Sequence, residues 1–509
     1  MPDENSDNMR KCPGEKYPIT LAVCQARQAK NYPKCLLCKY YTGQGPSTDP
    51  KVKKAIFRTA SIAGEVSEEI NEYVVRKLGT ATAQYFRADS TKGSSLVVGC
   101  DLRENSRHFA RVFSEGANAG GMHVVSVGPS LPEIVRFAVG AGNFACGAFI
   151  TGCHAPADVN GIRLWDADAR QLTFDHGLDK IGLIARRIKP GHTKVTGKTE
   201  TIDPMEDYRK YVQKFALNLE PLVIALDGSW GVAGKVLPRV LAKQPVELVK
   251  VHCGGKSKDD FLGRRFPAQS VQNALENATI SNGADLGIAL DFDGDICAFF
   301  DEKGQPIRTD IAAAVLAREL LQRIPGAKIA YDLRFTAAVR EEILKSEGQP
   351  LRTSTDPHAV ATKMRRSDGI YGAHLSGRHF FRDMFGGESP VIALLVMCSA
   401  ISRQGAPLSE IAGEVTRYAH SGELRYQMPS PEALERAVFD IQGEFPNAER
   451  DTLEGLTLRF SNWWFNLRRQ TGSSVILLNI EGRMPNDESR GRKRLEKLIR
   501  NHGGQKAAR

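Results

Sequence analysis

An α/β fold of several doubly wound units is predicted, and three observations predict it. Short apolar runs such as Leu222–Asp227, Leu286–Leu290 and Lys328–Asp332 alternate with stretches of helical periodicity, the pattern of parallel sheets covered by helices. At 509 residues the chain is too long for one core, so about three or four domains are expected. The apolar fraction of 41% and charged fraction of 25% are those of a globular protein, and no run approaches the ~18 apolar residues of a membrane span.

Residues 1–50 read as a Cys-rich extension, with Cys12, Cys24, Cys35 and Cys38 set among Pro, Lys and Tyr. Cys35-Leu-Leu-Cys38 has knuckle spacing, and four thiolates in so short a segment suit tetrahedral Zn²⁺. An iron–sulfur cluster would use the same ligands, and a leader with reduced thiols is the plain alternative. The first residues, Met-Pro-Asp-Glu-Asn-Ser-Asp, lack the apolar core of a signal peptide, so a cytoplasmic location with reduced cysteines is expected.

The net charge of +10 is not spread evenly. Residues 1–58 carry +6 and residues 490–509 carry +7, leaving −3 for the body. The body is therefore not a basic nucleic-acid groove, though local arginines can still handle anionic small molecules.

From residue 51 the elements follow in order. Residues 51–200 alternate helix and strand through Ser67–Phe86, Ser94–Cys100, Arg107–Ala119, His123–Val127, Leu131–Gly140 and Phe144–Thr151. The first strand ends in the polar turn Asp101-Leu-Arg-Glu-Asn-Ser106, and the last enters Thr151-Gly-Cys-His-Ala-Pro-Ala-Asp-Val-Asn-Gly-Ile-Arg163. In such folds function sits in the loops after the strands. Residues 201–305 form a second unit and residues 306–420 a third. Residues 421–488 form a smaller α+β unit with one helix, Pro431–Phe439, and residues 489–509 read as a basic C-terminal tail that begins as a basic amphipathic helix and frays.

The second unit contains Leu286-Gly-Ile-Ala-Leu-Asp-Phe-Asp-Gly-Asp295. An apolar strand delivers Asp291, Asp293 and Asp295 into a turn that Gly294 permits. Three carboxylates at alternate positions repel, and a hard cation such as Mg²⁺ would relieve that repulsion. An ordinary acidic turn between two strands has the same spacing.

With these loops in view, residues 52–485 resemble the α-D-phosphohexomutase superfamily, the phosphomannomutase/phosphoglucomutase enzymes. Four loops carry the resemblance, in the family's order: Thr151–Arg163 is similar to its phosphoserine loop, Asp291–Asp295 to its magnesium loop, Gly372–Arg378 to its sugar-recognition loop and Arg468–Ser474 to its phosphate-binding loop. Tyr418-Ala-His-Ser-Gly-Glu423 and Trp464-Phe-Asn-Leu-Arg468 are also family-like. The resemblance implies three similar α/β domains and a smaller fourth around a central cleft. It implies Mg²⁺, a hexose phosphate or similar anion as ligand, and reversible phosphoryl transfer by a phosphoserine; a monomer or homodimer is expected, with no membrane partner and with nucleic acid disfavoured by the charge distribution.

Residue by residue, the resemblance assigns the metal to Asp291, Asp293 and Asp295. It assigns catalysis to positions 153, His154, 163 and His358. Substrate contacts fall to positions 334, 374, Ser376, 378 and Arg468, and to the turn at Thr471, Gly472 and Ser473. Several positions depart from the family. Cys153 stands where the phosphorylated serine belongs, and a thiolate there would make a thiophosphate ester. Arg163 and Arg334 replace lysines, and arginine does not give up a proton at neutral pH. His374 replaces the sugar-reading glutamate, Arg378 the following histidine, Ile296 the arginine after the acidic turn and Ala63 an arginine of the first segment. Gln470-Thr-Gly-Ser-Ser474 replaces Ser-Asn-Thr-Glu-Pro.

Because nucleophile, proton relay and sugar reader all change, a phosphohexomutase-like protein with reduced or lost mutase activity is expected. The other reading is a non-catalytic sugar-phosphate sensor or scaffold that uses the cysteine module.

Overall fold

The structure is a computed structural model, and it describes residues 9–12, 16–29, 35, 38, 51–89, 93–189, 197–254 and 266–507. These form two compact units, the first running to Pro204 and the second comprising the described residues from Met205 on.

The first unit opens with β1 (Met9–Arg10) and β2 (Ile19–Thr20), paired antiparallel, and α1 (Leu21–Ala29) follows directly. Its main sheet has the order β3-β7-β6-β4-β5-β8, built from β3 (Ile62–Glu65), β4 (Ser95–Cys100), β5 (His123–Pro129), β6 (Cys146–Ile150), β7 (Val159–Asp166) and β8 (Thr199–Thr201). The four strands β6, β4, β5 and β8 are parallel, while β7 and β3 turn back antiparallel. Side chains alternate between the faces of β4. Leu96, Val98 and Cys100 join a core with Leu78 of α2 (Glu72–Asp89), Phe113 of α3 (Ser106–Ala119) and Ile181 of α5 (Leu178–Arg187). Gly99 faces Val135 of α4 (Pro132–Ala141) on the opposite side. Cover on both faces is why the central strands carry continuous apolar runs.

The second unit starts with α6 (Met205–Val212) and then a sheet of order β10-β9-β11-β12. It comprises β9 (Leu222–Asp227), α7 (Ala233–Leu241), β10 (Val246–Val251), α8 (Gln269–Asn282), β11 (Leu286–Leu290) and β12 (Cys297–Phe300), antiparallel only at β11–β12. A similar sheet follows, order β14-β13-β15-β16-β17. Its elements are α9 (Thr309–Arg323), β13 (Lys328–Asp332), α10 (Ala337–Lys345), β14 (Gln349–Thr353), α11 (Pro357–Arg366), β15 (Tyr371–His374), β16 (Arg378–Phe381), β17 (Gly387–Glu388) and α12 (Pro390–Gln404). Ser389 caps α12 by accepting the N–H of Ile392 at 3.1 Å, and the helix is buried all round from Pro390 to Ile401, as an apolar helix inside a core must be.

After α13 (Leu408–Gly413) comes an antiparallel sheet of order β19-β20-β21-β22-β18-β23. Its strands are β18 (Ala419–Gln427), β19 (Glu449–Asp451), β20 (Leu456–Arg459), β21 (Trp463–Arg469), β22 (Val475–Gly482) and β23 (Gln505–Lys506). Leu434 and Ile441 of α14 (Pro431–Glu444) and Leu495 and Ile499 of α15 (Pro485–Asn501) share one core with Leu458, Phe465 and Leu478 of the sheet. The basic amphipathic helix expected there is present, but this corrects the reading of residues 489–509 as a separate tail and of a last domain with one helix. The basic residues occupy the outer face of α15, its apolar pair at i and i+4 locks into the core, and β23 pairs with β18. No helix among the described residues is long and apolar enough to cross a membrane.

Candidate active site

The acidic loop is built by β11, whose buried apolar run carries the chain into the turn before β12. Gly294 takes φ 73° there, and Asp291, Asp293 and Asp295 are all buried. Oδ1 of Asp291 accepts the N–H groups of Asp295 and Ile296, each at 2.9 Å, so its carboxylate organises the turn. Burial, then the charges of Asp295 and Asp293, push the Asp291 carboxyl well above the usual carboxylate range, against the opposing charge of Arg378. An all-oxygen set of three buried, mutually repelling carboxylates suits a hard divalent cation.

The loop between β15 and β16 lies against this turn. The N–H of Cys297 donates to Gly377 O at 3.0 Å, and a Cβ on Gly377 would come 2.4 Å from Cys297 O. Only glycine permits that approach, and its φ of 92° requires glycine as well. From this loop Arg378 Nη1 donates to Asp295 Oδ2 at 2.6 Å and to Glu388 Oε1 at 3.3 Å.

His374, at the end of β15, is buried, and its hydrogen bonds settle its tautomer. Nδ1 accepts the Ser376 N–H at 3.1 Å, with Ser376 Oγ at 2.8 Å. Nε2 therefore carries the proton, and it donates to the carbonyl of Thr355 at 2.8 Å. Burial is the main cause that lowers the pKa of His374 to about 4, so the ring is neutral at pH 7. Arg334 Nη2 lies 2.9 Å from the same Nε2, two donors brought together by Asp332, which is 3.3 Å from Nε2.

Arg334 binds the Asp332 carboxylate through Nε, at 2.9 and 3.1 Å, and through Nη2. Burial alone would raise the Asp332 pKa, but the hydrogen bonds and charge of Arg334 outweigh it and hold the carboxyl below its usual range. Glu423 of β18 links Arg334, at 3.5 Å, to Arg468 of β21, at 2.6 Å. Arg468 is buried and also donates to Asn466 Oδ1 and Asn479 Oδ1. Thr471, Gly472 and Ser473 form the exposed β21–β22 turn, with Gly472 at φ 73°.

A cavity of about 580 Å³ opens among these groups, lined by Arg308, Arg334, His374, His420, Glu423 and Arg425. Ser376 also lines it. His420 Nδ1 accepts the N–H of Gly422 at 2.9 Å, and its Nε2 donates to Arg334 O. Burial, then the charge of Arg308, lowers the pKa of His420 to about 4. Three arginines against Glu423 and Asp310 make the cavity suited to an anion with several hydroxyls.

In the first unit, the 151–163 loop follows β6. Cys153 is partly exposed at φ 53°, and its N–H donates to Thr151 Oγ1 at 2.8 Å. Buried Arg103 staples the loop. Nη2 donates to the carbonyls of Cys153 and Ala155 at 2.7 and 2.8 Å, and Nη1 to those of Pro156 and Val159 at 2.7 and 3.0 Å. Asp101 balances its charge at 3.3 Å. A Cβ on Gly152 would lie 2.4 Å from Val159 O and 2.6 Å from Arg103 Cζ. His154 is exposed.

Arg163, expected beside the nucleophile position, is buried on β7. It lies over the Trp165 ring at 5.6 Å and donates to Gln171 Oε1 at 3.0 Å. His358 opens α11, its N–H donating to the cap Asp356 at 2.9 Å. The expectation left out Asp332, Glu423, His420, Glu388, Asp101 and Arg103. Several stand in segments the sequence reading singles out, such as Asp101–Ser106 and Tyr418–Glu423. Many of their partners are remote in sequence, 10 residues away for Glu388 and Arg378, 45 for Glu423 and Arg468 and 86 for His420 and Arg334, which local pattern does not carry.

Comparison with known proteins agrees with this architecture. The chain matches three family models described as phosphoglucomutase/phosphomannomutase, alpha/beta/alpha domain I over residues 54–190, domain II over 206–304 and domain III over 308–418. It is 29% identical over 459 residues to the phosphomannomutase of Salmonella montevideo, covering 87% of this chain and 98% of that protein. A phosphoglucomutase/phosphomannomutase family protein from Burkholderia thailandensis superposes with TM-score 0.77 at 22% identity, over 89% of this chain and 99% of that one. An Aspergillus fumigatus N-acetylphosphoglucosamine mutase, solved in complex with GlcNAc-6P and magnesium, superposes with TM-score 0.52 at 11% identity, over 81% of this chain and 84% of that one.

Proposed function

This chain belongs to the phosphoglucomutase/phosphomannomutase family, and from that premise we propose that it binds a hexose phosphate together with Mg²⁺, with mutase turnover reduced or lost. Asp291, Asp293 and Asp295 would hold the ion, which supplies neutralisation of phosphate charge. The magnesium complex of the Aspergillus mutase agrees with that choice of ion. Arg308, Arg334 and Arg425 give the cavity its positive lining, and Ser376 presents a hydroxyl to the sugar. Thr471, Gly472 and Ser473 offer hydroxyls and backbone N–H groups to an anion.

The catalytic positions carry changed chemistry. Cys153 offers sulfur where the family carries its phosphoryl group on a serine oxygen. Arg163 cannot relay a proton, which leaves His154 and His358 as the imidazoles able to do so.

The observation that carries the proposal is the state of His374. Its Nδ1 is taken up by Ser376 and its Nε2 proton by Thr355, so the sugar reader turns its hydrogen-bonding capacity inward. A protein that keeps a basic cavity and an acidic loop, and has withdrawn this acceptor, is expected to bind hexose phosphates with little discrimination between epimers. Titration calorimetry with glucose 1-phosphate and mannose 1-phosphate, with and without Mg²⁺, tests this. Similar Mg²⁺-dependent affinities for both sugars are expected. No binding of either, or binding indifferent to Mg²⁺, overturns it.

A sensor or scaffold role is the second reading. The arrangement that favours it is Arg468, whose guanidinium is held by Glu423, Asn466 and Asn479 in the loop where the family grips its second phosphate. Binding without turnover supports this role.

A further inference from the structure

The amino-terminal segment of the first unit buries four cysteines that the proposed function does not use. Cys12, Cys24, Cys35 and Cys38 are 2%, 1%, 1% and 9% exposed, and none is in a disulfide. They come from three separate pieces of backbone. Cys12 follows β1, Cys24 lies in the first turn of α1 directly after β2, and Cys35 and Cys38 close a turn in which the Cys38 N–H donates to Cys35 O at 3.0 Å. That turn is the C-x₂-C knuckle, whose two thiols face one centre when a metal is held.

The surroundings disfavour bare thiolates, so these sulfurs need a cation to ionise together. Gln28, one helical turn after Cys24 and itself buried, donates Nε2–H to Cys24 Sγ at 3.2 Å, the kind of donor that steadies a thiolate ligand. The four thiols are electrostatic neighbours. Burial first, and then Cys12, Cys24 and Cys38 in turn, push the Cys35 thiol up, while Arg27 opposes them. Without a bound ion, four thiols gathered in this way gain little beyond their small apolar area. A two-residue ladder and a nine-residue helix are also too short to hold a shape unaided.

We propose that Cys12, Cys24, Cys35 and Cys38 bind one Zn²⁺ as a closed structural tetrathiolate site that holds the β1–β2–α1 segment and the 35–38 turn together. Four soft sulfur donors select zinc over the hard Mg²⁺ expected at the acidic loop. The site takes no part in phosphoryl chemistry, so it stands or falls independently of the proposed function.

The test uses the full chain purified without chelator. Elemental analysis is expected to find one zinc per chain, and the Co²⁺-substituted protein to show the thiolate-to-cobalt charge-transfer bands of tetrahedral sulfur coordination. Cys35→Ser combined with Cys38→Ser should lose the metal, while Cys253→Ala, at a thiol outside the segment, should keep it. If the double variant fails to fold, the parent still decides the matter. Modification of four thiols by a mercurial should release one zinc, read with a zinc indicator. Zinc well below one per chain, disulfides among the four cysteines, an iron–sulfur chromophore, or zinc retained by a folded double variant would each overturn the proposal.

Discussion

Arg378 Nη1 donates to Asp295 Oδ2 at 2.6 Å, so a side chain at the start of β16 neutralises one of the three carboxylates of the acidic loop. The guanidinium already occupies part of the electrostatic role that a divalent ion would fill. At an effective dielectric near 20, a unit charge about 4 Å away acts with a few kcal/mol. Replacing it therefore has two opposed effects.

Arg378→Ala is expected to bind Mg²⁺ about tenfold more tightly, ~1.4 kcal/mol, because three uncompensated carboxylates then face the ion. The metal-free protein should at the same time melt lower, since Asp295 and Glu388 lose a buried partner. Calorimetric Mg²⁺ titration and paired melting curves check both effects. Unchanged affinity would show that Arg378 and the ion do not share Asp295.

Glu423→Gln should loosen the grip on the arginines. Glu423 lies 2.6 Å from Arg468 and 3.5 Å from Arg334, and with its charge gone both become available to an external anion. Inorganic phosphate is expected to bind about tenfold tighter, with stability falling by roughly 1–3 kcal/mol, since the amide keeps only part of the hydrogen bonding. Phosphate titration and urea denaturation of parent and variant provide the measurement.

Arg103→Ala should cost about 3–5 kcal/mol, the usual penalty for breaking a buried ion pair. It strands Asp101 together with four carbonyls of the 151–163 loop. Arg103→Lys is expected to recover little, because an ammonium cannot reproduce the guanidinium fork. Chemical denaturation gives the stability, and the labelling rate of Cys153 with a thiol reagent gives the loop's integrity.

Acid should destabilise the second unit through its buried imidazoles. Burial lowers His374 and His420 to about 4, from an ordinary value of 6.5. A depressed pKa means that the unfolded chain binds more protons between these values. The stability contributed is therefore whole above about 6.5 and is lost as pH falls toward 4. For His374 alone the linkage amounts to about 3 kcal/mol at most. His374→Gln should flatten this part of the stability–pH curve, and an unchanged slope would show that the ring is not held neutral.

Much of the framework was legible from residue order. Leu286–Leu290 could be read as a strand because a short apolar run ends abruptly at Asp291, and both boundaries match the structure. The basic amphipathic helix read at the start of residues 490–509 is present within α15, but setting it apart as a tail was wrong, because eight basic residues outweigh the apolar pair Leu495 and Ile499 and only the tertiary core shows what that face packs against. At the site, the acidic triad stood out in the sequence, although its spacing alone fitted an ordinary acidic turn as well as a metal loop. The inward state of His374 did not, since it depends on Thr355 and Asp332, which adjoin it only in the folded sheet. Arg163 was placed by resemblance near the chemistry, whereas its packing on Trp165 and Gln171 follows from its position on β7.

The most direct test of an altered phosphohexomutase is a coupled assay of glucose 1-phosphate and mannose 1-phosphate turnover with Mg²⁺ and a hexose bisphosphate activator. The parent is run beside Cys153→Ser and Cys153→Ala. The expected result is turnover near background for the parent and for Cys153→Ala, with a measurable gain for Cys153→Ser, because serine restores the oxygen that carries the phosphoryl group. Family-level turnover by the parent that disappears in Cys153→Ala would contradict the loss of mutase activity and identify the thiol as a competent nucleophile.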